Sequence, residues 1–151
     1  MPGPGMTAPR FQQLTRAEAL GLLGSVGVGR IVFTHQALPA IRPVSHLIDG
    51  GQVIIRGNAD AGLSSALDTV VAYEADVVSE SGQVSWSVIV TGVARRLRAG
   101  PALTRYEELL RPWTPGEPGG DYVVRIHPEL VTGFSLVEKV EKKEPDAGVG
   151  A

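Results

Sequence analysis

The sequence predicts a mainly β fold, an antiparallel barrel carrying a few short helices. Three observations point there. β-rich runs follow one another through connections short enough for hairpins, no βαβ unit repeats, and 43% apolar residues in a chain of 151 supply one core rather than two.

Thr15-Arg-Ala-Glu18 is a capping box, so a helix begins there, with Leu20, Leu22, Leu23 and Val26 as its apolar stripe and Gly27 to Gly29 as its end. "RIVFTH" and "PAIRPVSHLI" flank "QALP" and predict a hairpin from about Arg30 to Ile48. Pro43 lacks an amide donor and requires an edge, a bulge or an unpaired patch. "LIDGGQVII" carries an Asp-Gly turn between apolar flanks, a second hairpin signal.

After Arg56, "GNADAGLSS" predicts a turn and a short helix from about Asp60. "TVVAYEADVV" and "VSWSVIVTGVARRL", joined by polar "SESGQ", make a third hairpin. Pro101 opens a helix with Leu103, Tyr106, Leu109 and Leu110 at helical spacing. The loop "PWTPGEPGG" follows, then "DYVVRIHP" and "LVTGFSLVEKV" as final strands, six or seven in all. Residues 1–13 and 139–151 have the composition of mobile tails, leaving 14–138 as the folded domain.

Composition excludes several classes of function. Fourteen Lys and Arg against sixteen Asp and Glu leave a charge of −2, no broad field for a phosphate backbone, so nucleic acid is not an expected partner. Without cysteine there are no disulfides, thiolate nucleophiles or Cys-based metal sites, which fits a cytoplasmic protein. No window has the apolar length of a membrane span or signal peptide.

Catalytic motifs are sparse. The glycines of "GSVGVGRIVF" precede their strand, whereas a dinucleotide fingerprint follows one. His35, His46 and His127 are too dispersed for a metal motif. Glu74 and Asp76 share a strand face, but such a pair more often forms a solvated stripe or meets arginines across a hairpin, and Arg95, Arg96 and Arg98 are within the same hairpin. "ARRLR" in an acidic domain is ordinarily a solvated or salt-bridged stretch. Trp86 alternates with Ser87, so the two face opposite sides of the wall.

In order along the chain, "GRIVF", "LPAIRPVSHLIDGGQVIIRG", "VVAYEADVV", "SWSVIVTGVA" and "RIHPELVTGF" resemble the pyridoxamine 5′-phosphate oxidase-like family of FMN-binding split barrels, in its short actinobacterial-type branch. The resemblance runs from about Leu14 to Val137. It implies a six-stranded antiparallel split barrel that forms a homodimer, with FMN sites at the interface and an oxidoreductase function on a small molecule. It assigns Arg42, Val44, Ser45 and His46 to the strand beside the flavin, and Arg56, Gly57 and Asn58, with Gly62 and Ser64 in the following turn, to the phosphate. Trp86 and Ser87 are assigned to the interface cavity. Where relatives often carry a second cation this chain has Gly62, so the resemblance also leaves room for a non-catalytic module or one holding deazaflavin or haem, with His46 or His127 as the haem ligand. It assigns no catalytic residue.

Overall fold

The computed structural model describes residues 10–58, 62–110 and 121–137. In chain order its elements are β1 (Arg10–Gln13), α1 (Arg16–Gly24), β2 (Val28–His35), β3 (Leu38–Asp49), β4 (Gln52–Asn58), a 3-10 turn (Leu63–Ala66), β5 (Val70–Val78), β6 (Val84–Arg96), α2 (Pro101–Leu109), β7 (Asp121–Ile126) and β8 (Leu130–Val137). The expected helix from Asp60 begins outside the described residues, as does the loop after α2; the described part of the former is the 3-10 turn.

Every strand pairing is antiparallel, and β6 organises them. One edge of β6 pairs with β5; the other divides, Trp86–Thr91 taking β8 and Ala94–Arg96 taking β7. The circuit β6-β5-β2-β3-β4-β7 thereby returns to β6 as a closed six-stranded barrel, with β8 and β1 as a flap. Gly92 sits where the edge divides. A Cβ there would lie 2.0 Å from the His127 carbonyl oxygen, so only glycine lets the β7–β8 connection cross this point.

The local chemistry explains the elements. Glu18 N–H donates to Thr15 Oγ1 (3.2 Å) and Thr15 N–H to Glu18 Oε1 (3.0 Å), closing the capping box. α1 ends earlier than the glycines at 27–29 suggested, because Ser25 caps it by donating to the Leu22 carbonyl; Gly29 belongs to β2. Gly50 and Gly51, both at positive φ, form the two-residue turn that sets Asp49 opposite Gln52. Gln36 and Ala37 do the same between β2 and β3 without glycine, at φ 51° and 64°. Pro43 stands opposite Arg30 of β2, while the β3–β4 pairing starts only at Ser45, so the missing donor falls in the part of β3 that is unpaired on its β4 side.

Arg10–Gln13, placed in the amino-terminal tail by composition, instead pair with β8, and Phe11 meets Phe134 edge to face at 4.8 Å. Residues 1–9 and 139–151, also assigned to tails, lie outside the described residues, as does residue 138, the expected last residue of the domain. The barrel interior holds Leu23, Ile31, Val53, Ile55, Tyr73, Val88, Val90 and Ile126, all essentially inaccessible. A second cluster, Ile54, Val123 and Leu110 with Leu103 and Tyr106, seats α2 on the outer face of β4 and β7.

Candidate functional site

The residues assigned to the flavin occupy three different environments. The first is the barrel interior. Val44, His46 and Trp86 are buried in the main core at 3%, 4% and 8% exposure. Trp86 is therefore a packing residue within one chain, while its neighbour Ser87 faces outward, as the alternation predicted. His46 lies beneath α1, its Nε2–H donating to the Leu23 carbonyl (2.7 Å) and its Nδ1 accepting from the Tyr73 hydroxyl. Burial lowers its pKa, so the ring is neutral with the proton on Nε2. With both nitrogens engaged, His46 ties β3 to α1 and β5 inside the core.

The second environment is the end of the barrel where β4 meets the 3-10 turn. Gly57 faces inward and is covered by Leu63; a Cβ at Gly57 would fall 2.1 Å from Leu63 Cδ2. Gly62 precedes the turn at φ +74°, and the position of its missing Cβ lies 3.3 Å from His35 Cε1. The Ser65 hydroxyl donates to the Gly62 carbonyl (2.7 Å) and accepts from His35 Nδ1–H (3.0 Å). The position at which the resemblance leads one to expect a second cation is thus a left-handed residue beside an imidazole, with exposed Ser64 next to it. Asn58 ends β4 opposite Asp121.

Arg56 points to the outer face, where its Nη1 donates to the Glu107 and Leu110 carbonyls (2.9 and 2.7 Å) and caps the carboxyl end of α2. Nothing in the sequence signals that duty, because the partner carbonyls lie about fifty residues downstream. Ser45, half-buried, stands beside Arg56 in the ladder, and Arg42 donates to the Ile41 carbonyl (2.8 Å).

The third environment is a groove of about 460 Å³ on the outer face of β6, β8 and β1. Ser87 and Ile89 form its floor and Phe11, Gln13, Thr132 and Phe134 its walls. Ile89 and Phe134 are 41% and 37% exposed and Phe11 67%, an apolar patch with a few polar groups at its margin. Ser87 lies toward the opposite end of β6 from Ala94, the residue that Leu67, just after the 3-10 turn, bridges.

Glu74 meets Arg30 of β2 in a two-pronged pair (2.7 and 2.9 Å), with Asp76 at 3.4 Å from the same guanidinium, rather than the arginines of β6. The hydrogen bonds from Arg30 hold the Glu74 carboxyl below the usual range, while Asp76 is raised by its bond to Glu74. The trio is an ion cluster on the outer wall.

The architecture has clear counterparts. Residues 15–135 match the family model described as pyridoxamine 5'-phosphate oxidase. The chain belongs to the pyridoxamine 5′-phosphate oxidase family. An uncharacterized Mycobacterium tuberculosis protein, Rv0080, is 44% identical over 143 residues, covering 87% of this chain and 89% of the relative. A crystal structure of a Corynebacterium glutamicum protein described as a putative pyridoxamine 5'-phosphate oxidase shares 34% identity, covers 87% of this chain and 96% of that one, and superposes with TM-score 0.71. The structure of an FAD-binding protein of Mycobacterium smegmatis shares 29% identity over 83% of this chain and 97% of that one, with TM-score 0.62.

Proposed function

We propose that the protein is a homodimeric flavin-nucleotide-binding oxidoreductase acting on a small molecule, with FMN held where two copies meet. The observation that carries this reading is the separation, within one chain, of the phosphate corner at Gly57–Ser64 from the apolar groove at Ser87. A second copy seated on that groove supplies to one site what a single chain keeps apart. The flavin-binding Mycobacterium smegmatis relative supports the cofactor class.

The residues present fit the ring better than the phosphate. The groove offers Ile89, Phe11 and Phe134 as apolar walls, with Ser87 and Thr132 hydroxyls for polar edges, the make-up of a planar-ligand site. At the phosphate corner exposed Ser64 offers a hydroxyl, while His35 Nδ1–H is given to Ser65 and Arg56 is turned toward α2. Bound flavin supplies the hydride or electron-pair chemistry. The chain's own contribution is position and exclusion of water, and no side chain is assigned as acid or base.

The absorption spectrum of the freshly purified full chain tests this, followed by titration with FMN and FAD while thermal stability is monitored. Flavin bands, or a melting temperature that rises with flavin through binding linkage, are expected. Absence of both ends the proposal.

A second reading, a split-barrel module without redox catalysis, is favoured by one observation, the absence of a cation at Gly62. A dimer that binds neither flavin, deazaflavin nor haem selects it. A Soret band points to haem, and with His46 engaged His127 is then the histidine to replace.

A further inference from the structure

The sequence stretch "ARRLR" acquires a different meaning once folded. Arg95, Arg96 and Arg98 come together with Arg56 around a cleft of about 690 Å³ between the end of β6, the start of α2 and the β4–β7 ladder. Four arginines line it against two acidic residues, Asp68 and Glu107, in a chain whose total charge is −2. Asp68 is paired with Arg95 at 2.8 Å, and both are well exposed, so this pair is weakly held. Arg56 is anchored on the α2 carbonyls. Arg96 and Arg98 are the cleft's main cationic assets.

Other features of the cleft point the same way. The Arg96 guanidinium lies 5.0 Å above the Tyr122 ring, a cation–π contact that holds its charge at the cleft. α2 begins here with Gly100 at the cap, no side-chain cap and no acidic residue in its first turn, so its leading amides lack a carboxylate. Leu67, Leu97 and Leu103 add an apolar wall. Charge, the uncapped start of α2 and an apolar flank in a volume of small-molecule size describe a seat for a phosphorylated organic molecule.

We propose that this cleft binds a phosphorylated small molecule through Arg96 and Arg98, separately from the groove at Ser87. The proposal goes beyond the flavin reading and does not depend on it. Two sources share the chemistry, the phosphate of the flavin itself and a second phosphorylated ligand, and the proposal commits to the second.

Pyrophosphate is the probe, titrated calorimetrically into the full-length protein, with FMN binding measured in parallel. Wild type is expected to bind pyrophosphate, Arg96→Ala/Arg98→Ala to lose roughly ten- to hundredfold in affinity, the scale of losing charge-assisted hydrogen bonds, and Arg98→Lys to lose less. FMN affinity is expected to be equal in all of them. Circular dichroism melts show that each variant is folded. Lack of pyrophosphate binding by wild type, or unchanged binding by the folded double variant, overturns the proposal. Displacement of FMN by pyrophosphate, with both affinities falling together in the double variant, also overturns it, since the cleft is then the flavin's own phosphate seat. Arginine-dependent pyrophosphate binding by a protein that takes up no flavin upholds this site and removes only the flavin reading.

Discussion

The Tyr73 hydroxyl donates to His46 Nδ1 inside the barrel, the two rings meeting edge to face at 5.1 Å and 80°. Burial pushes the Tyr73 hydroxyl well above its ordinary pKa, so it remains a donor, and His46 passes the chain on to the Leu23 carbonyl of α1. Tyr73→Phe leaves a buried imidazole acceptor unsatisfied. A loss of about 1–3 kcal/mol is expected in denaturant unfolding.

The same histidine makes stability depend on pH. Its folded pKa lies below the unfolded value near about 6.5, so the unfolded chain binds the extra proton. The contribution is complete above that value and is lost as pH falls from it toward the lower folded pKa. Unfolding curves between neutral and mildly acidic pH are expected to show this slope in wild type and a shallower one in His46→Gln.

Gly92→Ala tests the crossing at the divided edge of β6. The added methyl meets the His127 backbone carbonyl, which cannot rotate away as a side chain would. Destabilisation of about 1–3 kcal/mol or more is expected from overpacking, read as a lower denaturation midpoint.

Ile89→Glu tests the groove as a meeting surface. Ile89 is 41% exposed, so the isolated chain tolerates the change, whereas a charge in the centre of a dimer contact is not tolerated. Size-exclusion chromatography with light scattering is expected to show dimer in wild type and monomer in the variant, with flavin retention falling alongside. A variant that remains dimeric excludes this face.

Gly62→Lys asks whether the family's second cation can be restored. The residue sits at φ +74° against the His35 ring, so the substitution is expected to cost about 1–2 kcal/mol in stability. Because the side chain starts against His35, FMN affinity is expected to gain little. A large gain would show that charge alone limits binding there.

Much of the fold was legible in the sequence because its signals are local. Thr15 and Glu18 close a box three residues apart, Gly50 and Gly51 make a turn between adjacent strands, and Pro101 starts a helix at its own position. Phe11 escaped because four residues of edge strand carry almost no periodic signal, and only β8, far along the chain, orders them. The site was less legible for the same physical reason. Arg56 finds its carbonyls on α2, Glu74 finds Arg30 rather than Arg95, and His46 is captured by Tyr73, all partners fixed by ladder register rather than spacing. Alternation did place Ser87 outside and Trp86 inside, since a two-residue period survives any topology.

The divided edge of β6 has a consequence for synthesis on the ribosome. Until Asp121–Ile126 emerges, β4 and the last turn of β6 each present unpaired amides and carbonyls, because β7 is the strand that joins them. A nascent chain that stalls after α2 therefore exposes two sticky seams at once, the kind of edge that recruits other strands. Closure of the barrel waits on β7, so a pause in synthesis between α2 and β7 is the moment at which these edges stay open longest.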